Sequence, residues 1–193
     1  MKATRKLVLT GIFTAIAYIL MLLEMPVSFI MPPFIKLDFS ELPALIASYA
    51  AGPLWGGAVC LLKNILHLMN TTTGGVGELA NFLLGAAFVI PAGLLYQAHK
   101  NKKGAFLGAA IGALSAAVIS LPVNYFITYP FYTNFMPMEA ILDAYRIFMP
   151  SIRSLAEALA VFNIPFNFIK YMLDAAITFL IYKRISPLLK GRQ

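Results

Sequence analysis

The chain has 193 residues, 60% of them hydrophobic and only 12% charged. About 20 apolar residues span a bilayer core as a helix, so this length holds five or six spans and no separate soluble domain, and no glycine-rich loop of the G-x-x-x-x-G-K-S/T kind offers a nucleotide site. The net charge of +7 is gathered in clusters beside apolar runs, which is a membrane topology signal and not the single basic face that nucleic acid would need.

Lys2, Arg5 and Lys6 precede the apolar run Leu7–Leu23. No small-x-small cleavage pattern follows, so a retained first helix is predicted over about 5–26 instead of a signal peptide. Gly11 and Ala15, four residues apart, form a small-xxx-small step that suits internal packing or contact with another protein. The next segment, about 27–39, reads as an outer loop. Ser40 and Glu41 suit the start of a helix, as N-cap and first-turn acid, and Asp38 fits capping or ligand binding equally well.

Ten of the fifteen Lys/Arg residues lie in three clusters, Lys2/Arg5/Lys6, Lys100/Lys102/Lys103 and Lys183/Arg184/Lys190/Arg192. The positive-inside rule puts all three in the cytoplasm, so an even number of crossings must separate neighbouring clusters. One long helix over Leu42–Met69 would give an odd number. Gly52-Pro53 is a helix-breaking pair, and splitting there gives helices over about 40–51 and 54–69. The first arm then has about 12 residues, or roughly 18 Å, short for a bilayer. Lys63 and His67 share a face of the second arm, where a snorkelling lysine and a hydrogen-bonded histidine are expected.

The residues Asn70–Gly77 read as a flexible outer loop, about 70–76. Glu78 and Asn81 open a helix over about 77–98, and a further helix over about 104–132 carries Asn124 and a bend at Pro122. Asn81 and Asn124 suit either a ligand or hydrogen bonds between helices. The steps Gly85/Val89/Gly93 and Gly104/Gly108/Gly112 suit internal packing. An outer loop over about 133–154 holds a short amphipathic helix near 138–147. The last helix is predicted over about 155–184. The fold expected is an all-α integral membrane bundle of six helices in one domain, with both termini cytoplasmic, a short second helix and a folded-in first outer loop.

Asn163, Asn167, Lys170 and Asp174 fall within a roughly 60° arc of that last helix. A charge at mid-membrane costs roughly 2.5–3.5 kcal/mol on insertion scales, so such a stripe faces a protein interior or a wet cavity. Two readings fit: an i,i+4 ion pair between Lys170 and Asp174, or a polar ligand pocket inside the bundle. No Ser/His, paired-Asp or His-x-x-x-His arrangement points to an enzyme.

Pro33-Phe34-Ile35-Lys36-Leu37-Asp38-Phe39-Ser40-Glu41-Leu42-Pro43-Ala44-Leu45 is followed in order by three further signatures. These are Gly52-Pro53-Leu54-Trp55-Gly56-Gly57, Lys63-Asn64-Ile65-Leu66-His67 and Gly77-Glu78-Leu79-Ala80-Asn81-Phe82. This series resembles the substrate-binding S components of energy-coupling factor (ECF) vitamin transporters, riboflavin type. The resemblance implies a six-helix, non-enzymatic subunit in a prokaryotic cell membrane, with riboflavin as transported ligand and no cofactor. Its implied partners are a transmembrane coupling subunit and two cytoplasmic ATPases. It also implies flavin contacts at Asn124, Asn167 and Lys170, a closing loop around Leu37, Asp38 and Phe39, further ligand contacts at Glu78 and Asn81, and a coupling-subunit contact at Gly11 and Ala15. Phe39, Tyr125, Tyr129 and Phe166 are the candidates to stack on a ring. Thiamin or biotin as ligand, or an autonomous ion-coupled carrier using Lys170 and Asp174, are the alternatives.

Overall fold

In a computed structural model, residues 2–190 are described, with side chains through residue 182. Of the C-terminal basic cluster, Arg192 lies outside the described residues and the side chains of Lys183, Arg184 and Lys190 lie outside the described side chains. The first helix, α1, runs Ala3–Leu22, and the chain then forms a short antiparallel pair, β1 (Met25–Pro26) with β2 (Lys36–Leu37), in which Met25 faces Leu37. Lys36 pairs with Glu24 at the base of this loop. Helix α2 spans Glu41–Ala51 and α3 spans Pro53–His67, followed by α4 at Val76–Ala98. Helix α5 (Lys102–Val123) continues through a π turn at Asn124–Thr128 into α6 (Tyr129–Tyr132). The loop helix α7 is Met138–Arg146. Helix α8 (Leu155–Ala158) continues through a second π turn at Leu159–Asn163 into α9 (Ile164–Lys190).

Among the described residues, four segments are long and apolar enough to cross a membrane: Ala3–Leu22, Val76–Ala98, Lys102–Tyr132 and Leu155–Tyr182. The α2–α3 hairpin turns at Gly52, whose φ of 122° lies in a region L side chains rarely adopt, and Pro53 occupies the first helical position, where no N–H is needed. Every residue of α2 but Ala50 is buried, so this short helix is the centre of the bundle, packed on α1, α3, α4 and α9.

Close packing rests on missing side chains. A Cβ on Gly112 would lie 2.2 Å from the Phe88 carbonyl oxygen, and one on Gly56 would lie 2.8 Å from that of Ala44. Helices α4 and α5, and α2 and α3, therefore approach as near as backbone allows. Apolar side chains such as Leu7, Ile12, Ile19, Phe106, Ile111, Leu114 and Leu180 point outward. Lys63, Glu41, Ser48 and Asp174 point inward and are fully buried. That inversion of the soluble pattern is what lipid as solvent selects.

A second, smaller core caps one end. Tyr129, Ile141, Leu142, Tyr145, Ile152 and Leu155 pack there with Phe34 from the β1–β2 loop. Phe34 sits edge-on to Tyr129 and Tyr145, each at 6.0 Å between ring centroids.

Candidate functional site: a polar cavity beneath the capped end

A cavity of about 180 Å³ lies between the small core and the main bundle. It draws on the end of α1 (Met21), the β1–β2 loop (Phe34), the link from β2 to α2 (Asp38), α3 (His67), α4 (Glu78, Asn81), the π turn after α5 (Asn124) and α9 (Asn167, Lys170). The two π turns help build it. Pro130 and Pro165 each follow just past the end of one of them; a proline nitrogen has no hydrogen for the carbonyl four residues back, and a π turn is the local widening that absorbs such a defect. Asn124 and Asn163, one in each turn, both line the cavity.

Lys170 is the charged centre. Its Nζ donates to Asp38 Oδ2 at 2.8 Å and lies 3.4 Å from Glu41 Oε2. Glu41 also takes Lys63 at 2.5 Å, and Lys63 donates to the Ser40 hydroxyl, which in turn donates to Asp38 Oδ1. Burial alone would raise the Asp38 carboxyl, but the Lys170 and Lys63 charges beside it hold it well below the usual carboxylate range. The network ties the first loop to α2, α3 and α9.

Three expectations change here. Lys63 does not snorkel: it is 0% exposed, because Glu41 and Ser40 meet it inside the bundle. Ser40 does not cap α2 with its side chain; Asp38 Oδ1 accepts the Ser40 N–H at 2.9 Å instead, and the hydroxyl serves the lysine network. The hydrogen bond of Lys170 goes to Asp38, across 132 positions of sequence, and not to Asp174. Asp174 is fully buried, and neither of its carboxylate oxygens has a hydrogen-bond partner among the described residues.

The Asn70–Gly77 segment is also more ordered than its composition suggests. The Thr71 and Thr73 hydroxyls both reach Glu78 Oε2, at 3.0 and 3.1 Å, while Glu78 Oε1 meets His67 Nδ1 at 2.9 Å. Behind the cavity-lining Tyr129 and Asn163, Tyr145 donates to Asn163 Oδ1 at 2.7 Å, which leaves Tyr129 as donor to the Tyr145 oxygen. Burial pushes the Tyr145 phenol up, so it stays a neutral donor. Asn167 Nδ2 donates to the Asn163 carbonyl at 2.8 Å, leaving its own carbonyl oxygen for the cavity.

Of the residues singled out in the sequence, Asp38, Glu78, Asn81, Asn124, Asn167 and Lys170 line the cavity together. Leu37 and Phe39 flank Asp38, half-buried, and do not line it. Among the candidate stacking rings, Tyr129 and Phe166 line it; Phe39 does not, and Tyr125 packs on Phe126 with 39% of its surface exposed. Gly11 and Ala15 lie on the exposed face of α1, away from the cavity, and a Cβ at Gly11 would meet nothing within 4 Å. His67, Tyr132 and Phe34 line the cavity and were not assigned to it from sequence. For His67 the available signal was its i,i+4 spacing from Lys63.

A mostly helical bundle with outward-facing apolar walls and a polar cavity under the first loop defines a multi-pass membrane protein built to hold a small polar molecule. A family model described as ECF transporter, substrate-specific component, matches residues 5–182. The chain is 30% identical to the riboflavin transporter RibU of Staphylococcus aureus (strain TCH60), over 98% of this chain and 95% of that one. It is 32% identical to the riboflavin transporter FmnP of Bacillus subtilis (strain 168), over 95% and 93%. A solved S component of a bacterial ECF transporter superposes with a TM-score of 0.77 at 29% identity, covering 98% of this chain and all of the other. The chain belongs to the substrate-specific (S) components of ECF transporters.

Proposed function

We propose that this chain is the riboflavin-binding S component of an ECF transporter. It captures the vitamin from the outer side of a prokaryotic cell membrane and delivers it for uptake driven by ATP hydrolysis in partner subunits. The observation that carries the reading is the cavity. Its amides, Asn81, Asn124 and Asn167, lie with Lys170 among apolar and aromatic walls such as Phe166 and Tyr129. Riboflavin is uncharged, with a flat apolar ring system, polar ring edges and a hydroxylated tail. Amides give and accept hydrogen bonds at a pyrimidine-like edge, and an ammonium donates to a carbonyl or hydroxyl oxygen. The two relatives at 30% and 32% identity, both riboflavin transporters, support the same ligand.

In this reading six helices cross or enter the membrane, α2 and α3 as a short hairpin, and both termini face the cytoplasm. Asn124, Asn167 and Lys170 contact the flavin, Glu78 and Asn81 complete the wall, and the segment Leu37-Asp38-Phe39 closes over it. The chain carries no chemistry of its own. The exposed Gly11/Ala15 face of α1 meets the transmembrane coupling subunit, which works with two cytoplasmic ATPases. Purified in detergent from cells grown with riboflavin, the protein shows a flavin absorbance band that is lost after denaturation and desalting. Colourless protein that stays colourless after incubation with riboflavin contradicts the reading, and a band from another vitamin redirects it.

A further inference from the structure

His67 ends α3 and lines the cavity, on a different helix from Lys170. Nδ1 lies 2.9 Å from Glu78 Oε1, and the ring has no other hydrogen bond among the described residues. Which ring nitrogen carries the proton follows from the surroundings of Glu78. Thr71 Oγ1 and Thr73 Oγ1 lie 3.0 and 3.1 Å from Glu78 Oε2. Both hydroxyls already accept backbone N–H groups: Thr71 from Thr73 and Gly75, at 3.2 and 3.0 Å, and Thr73 from Gly77, at 3.0 Å. A hydroxyl has one hydrogen to give, and both point it at Glu78. Glu78 also sits in the first turn of α4, where the helix dipole favours an anion. An ionised carboxylate only accepts, so the hydrogen between it and the imidazole belongs to Nδ1. In the neutral ring, Nε2 is then a bare lone pair.

We infer that His67 is a ligand-binding residue whose Nε2 accepts a hydrogen bond from an N–H or O–H of the captured molecule, in the tautomer that Glu78 and its two threonines impose. The inference rests on the cavity being the riboflavin site. Riboflavin carries donors of both kinds, an imide N–H on the ring and hydroxyls on the tail. Lys170 offers donors only, so it cannot serve them. A fixed acceptor on the α3 side complements it. The Glu78–Thr71–Thr73 cluster is then an orienting shell, comparable to the partners that fix a histidine tautomer at other binding sites.

Two substitutions separate the two ends of the ring. His67→Asn keeps an amide N–H where Nδ1 was, facing Glu78, and removes the acceptor. His67→Gln places an amide oxygen near the Nε2 position and gives up the Glu78 bond. With riboflavin titrated into purified protein, His67→Asn weakens affinity about tenfold, the worth of one buried hydrogen bond, with an unchanged melting temperature in the absence of ligand. His67→Gln recovers part of that loss. Nitrogen NMR of histidine-labelled wild-type protein shows an unprotonated Nε2 that shifts when riboflavin is added. Folded His67→Asn with wild-type affinity overturns the inference alone. Should that variant fail to fold, an Nε2 resonance unmoved by riboflavin overturns it. Wild-type protein that does not bind riboflavin overturns the flavin reading and this inference together.

Discussion

Lys170 is held by two carboxylates and still faces the cavity, so its ammonium is aimed before any ligand arrives. Removing it, or the neighbouring Asn167, deletes a preformed donor or acceptor. Lys170→Ala and Asn167→Ala are expected to weaken riboflavin binding at least about tenfold, read by quenching of flavin fluorescence. Lys63 has a different duty. It touches Glu41 and Ser40 but does not line the cavity. Removing one partner of a buried pair costs up to about 3–5 kcal/mol, and here Glu41 would keep only the more distant Lys170, at 3.4 Å. Lys63→Ala should therefore lower the melting temperature sharply even in ligand-free protein, whereas Asn167→Ala should leave it nearly unchanged. The pH response follows from Asp38. Its carboxyl is depressed on folding by the two lysines. It therefore contributes stability that is complete above the ordinary carboxylate value of about 3.9 and is lost only as pH falls through its lower folded value. Between about pH 5 and 8 thermal unfolding should show no loss traceable to this residue, and Asp38→Asn should lower stability across that whole window.

At the scale of the element, the α4–α5 and α2–α3 pairs depend on glycines that meet backbone oxygen, which cannot rotate aside. Gly112→Ala should destabilise the bundle by separating α4 from α5 near Phe88. Gly11→Ala, facing open space, should not, and thermal melts of the two variants side by side test the contrast. Elements also mark the limit of what the sequence made legible. The Gly52-Pro53 break and the Asn163, Asn167, Lys170 stripe are local signals, set by turn chemistry and a period of 3.6 residues. Periodicity says which residues share one face of a helix; it does not say which other helix that face meets. Hence the partner of Lys170 proved to be Asp38 in a distant loop, and Lys63, read as snorkelling, found Glu41 on α2. The tyrosine chain from Tyr129 through Tyr145 to Asn163 was invisible for the same reason. The threonines of the 70–76 loop looked like flexible filler because their common partner, Glu78, lies in the next element.

At the scale of the whole molecule, the cavity and the exposed small-residue face of α1 are separate surfaces. Binding and assembly should therefore be separable by mutation. Gly11→Leu and Ala15→Leu are expected to abolish co-purification with the transmembrane coupling subunit while leaving riboflavin affinity unchanged. Normal assembly by both variants would remove that face from the interface. The capped end ties the two cores together: Phe34 from the first loop inserts among Tyr129, Tyr132 and Tyr145. The loop that bears Asp38 is thus anchored both in the small core and, through Lys170, in the bundle.

What the cavity holds decides the protein's function. Riboflavin titrated into the purified wild-type protein, followed by flavin fluorescence, should give saturable quenching that is strongly weakened in folded Asn167→Ala and Lys170→Ala. Absence of quenching in the wild type, or equal affinity in all three proteins, would contradict it.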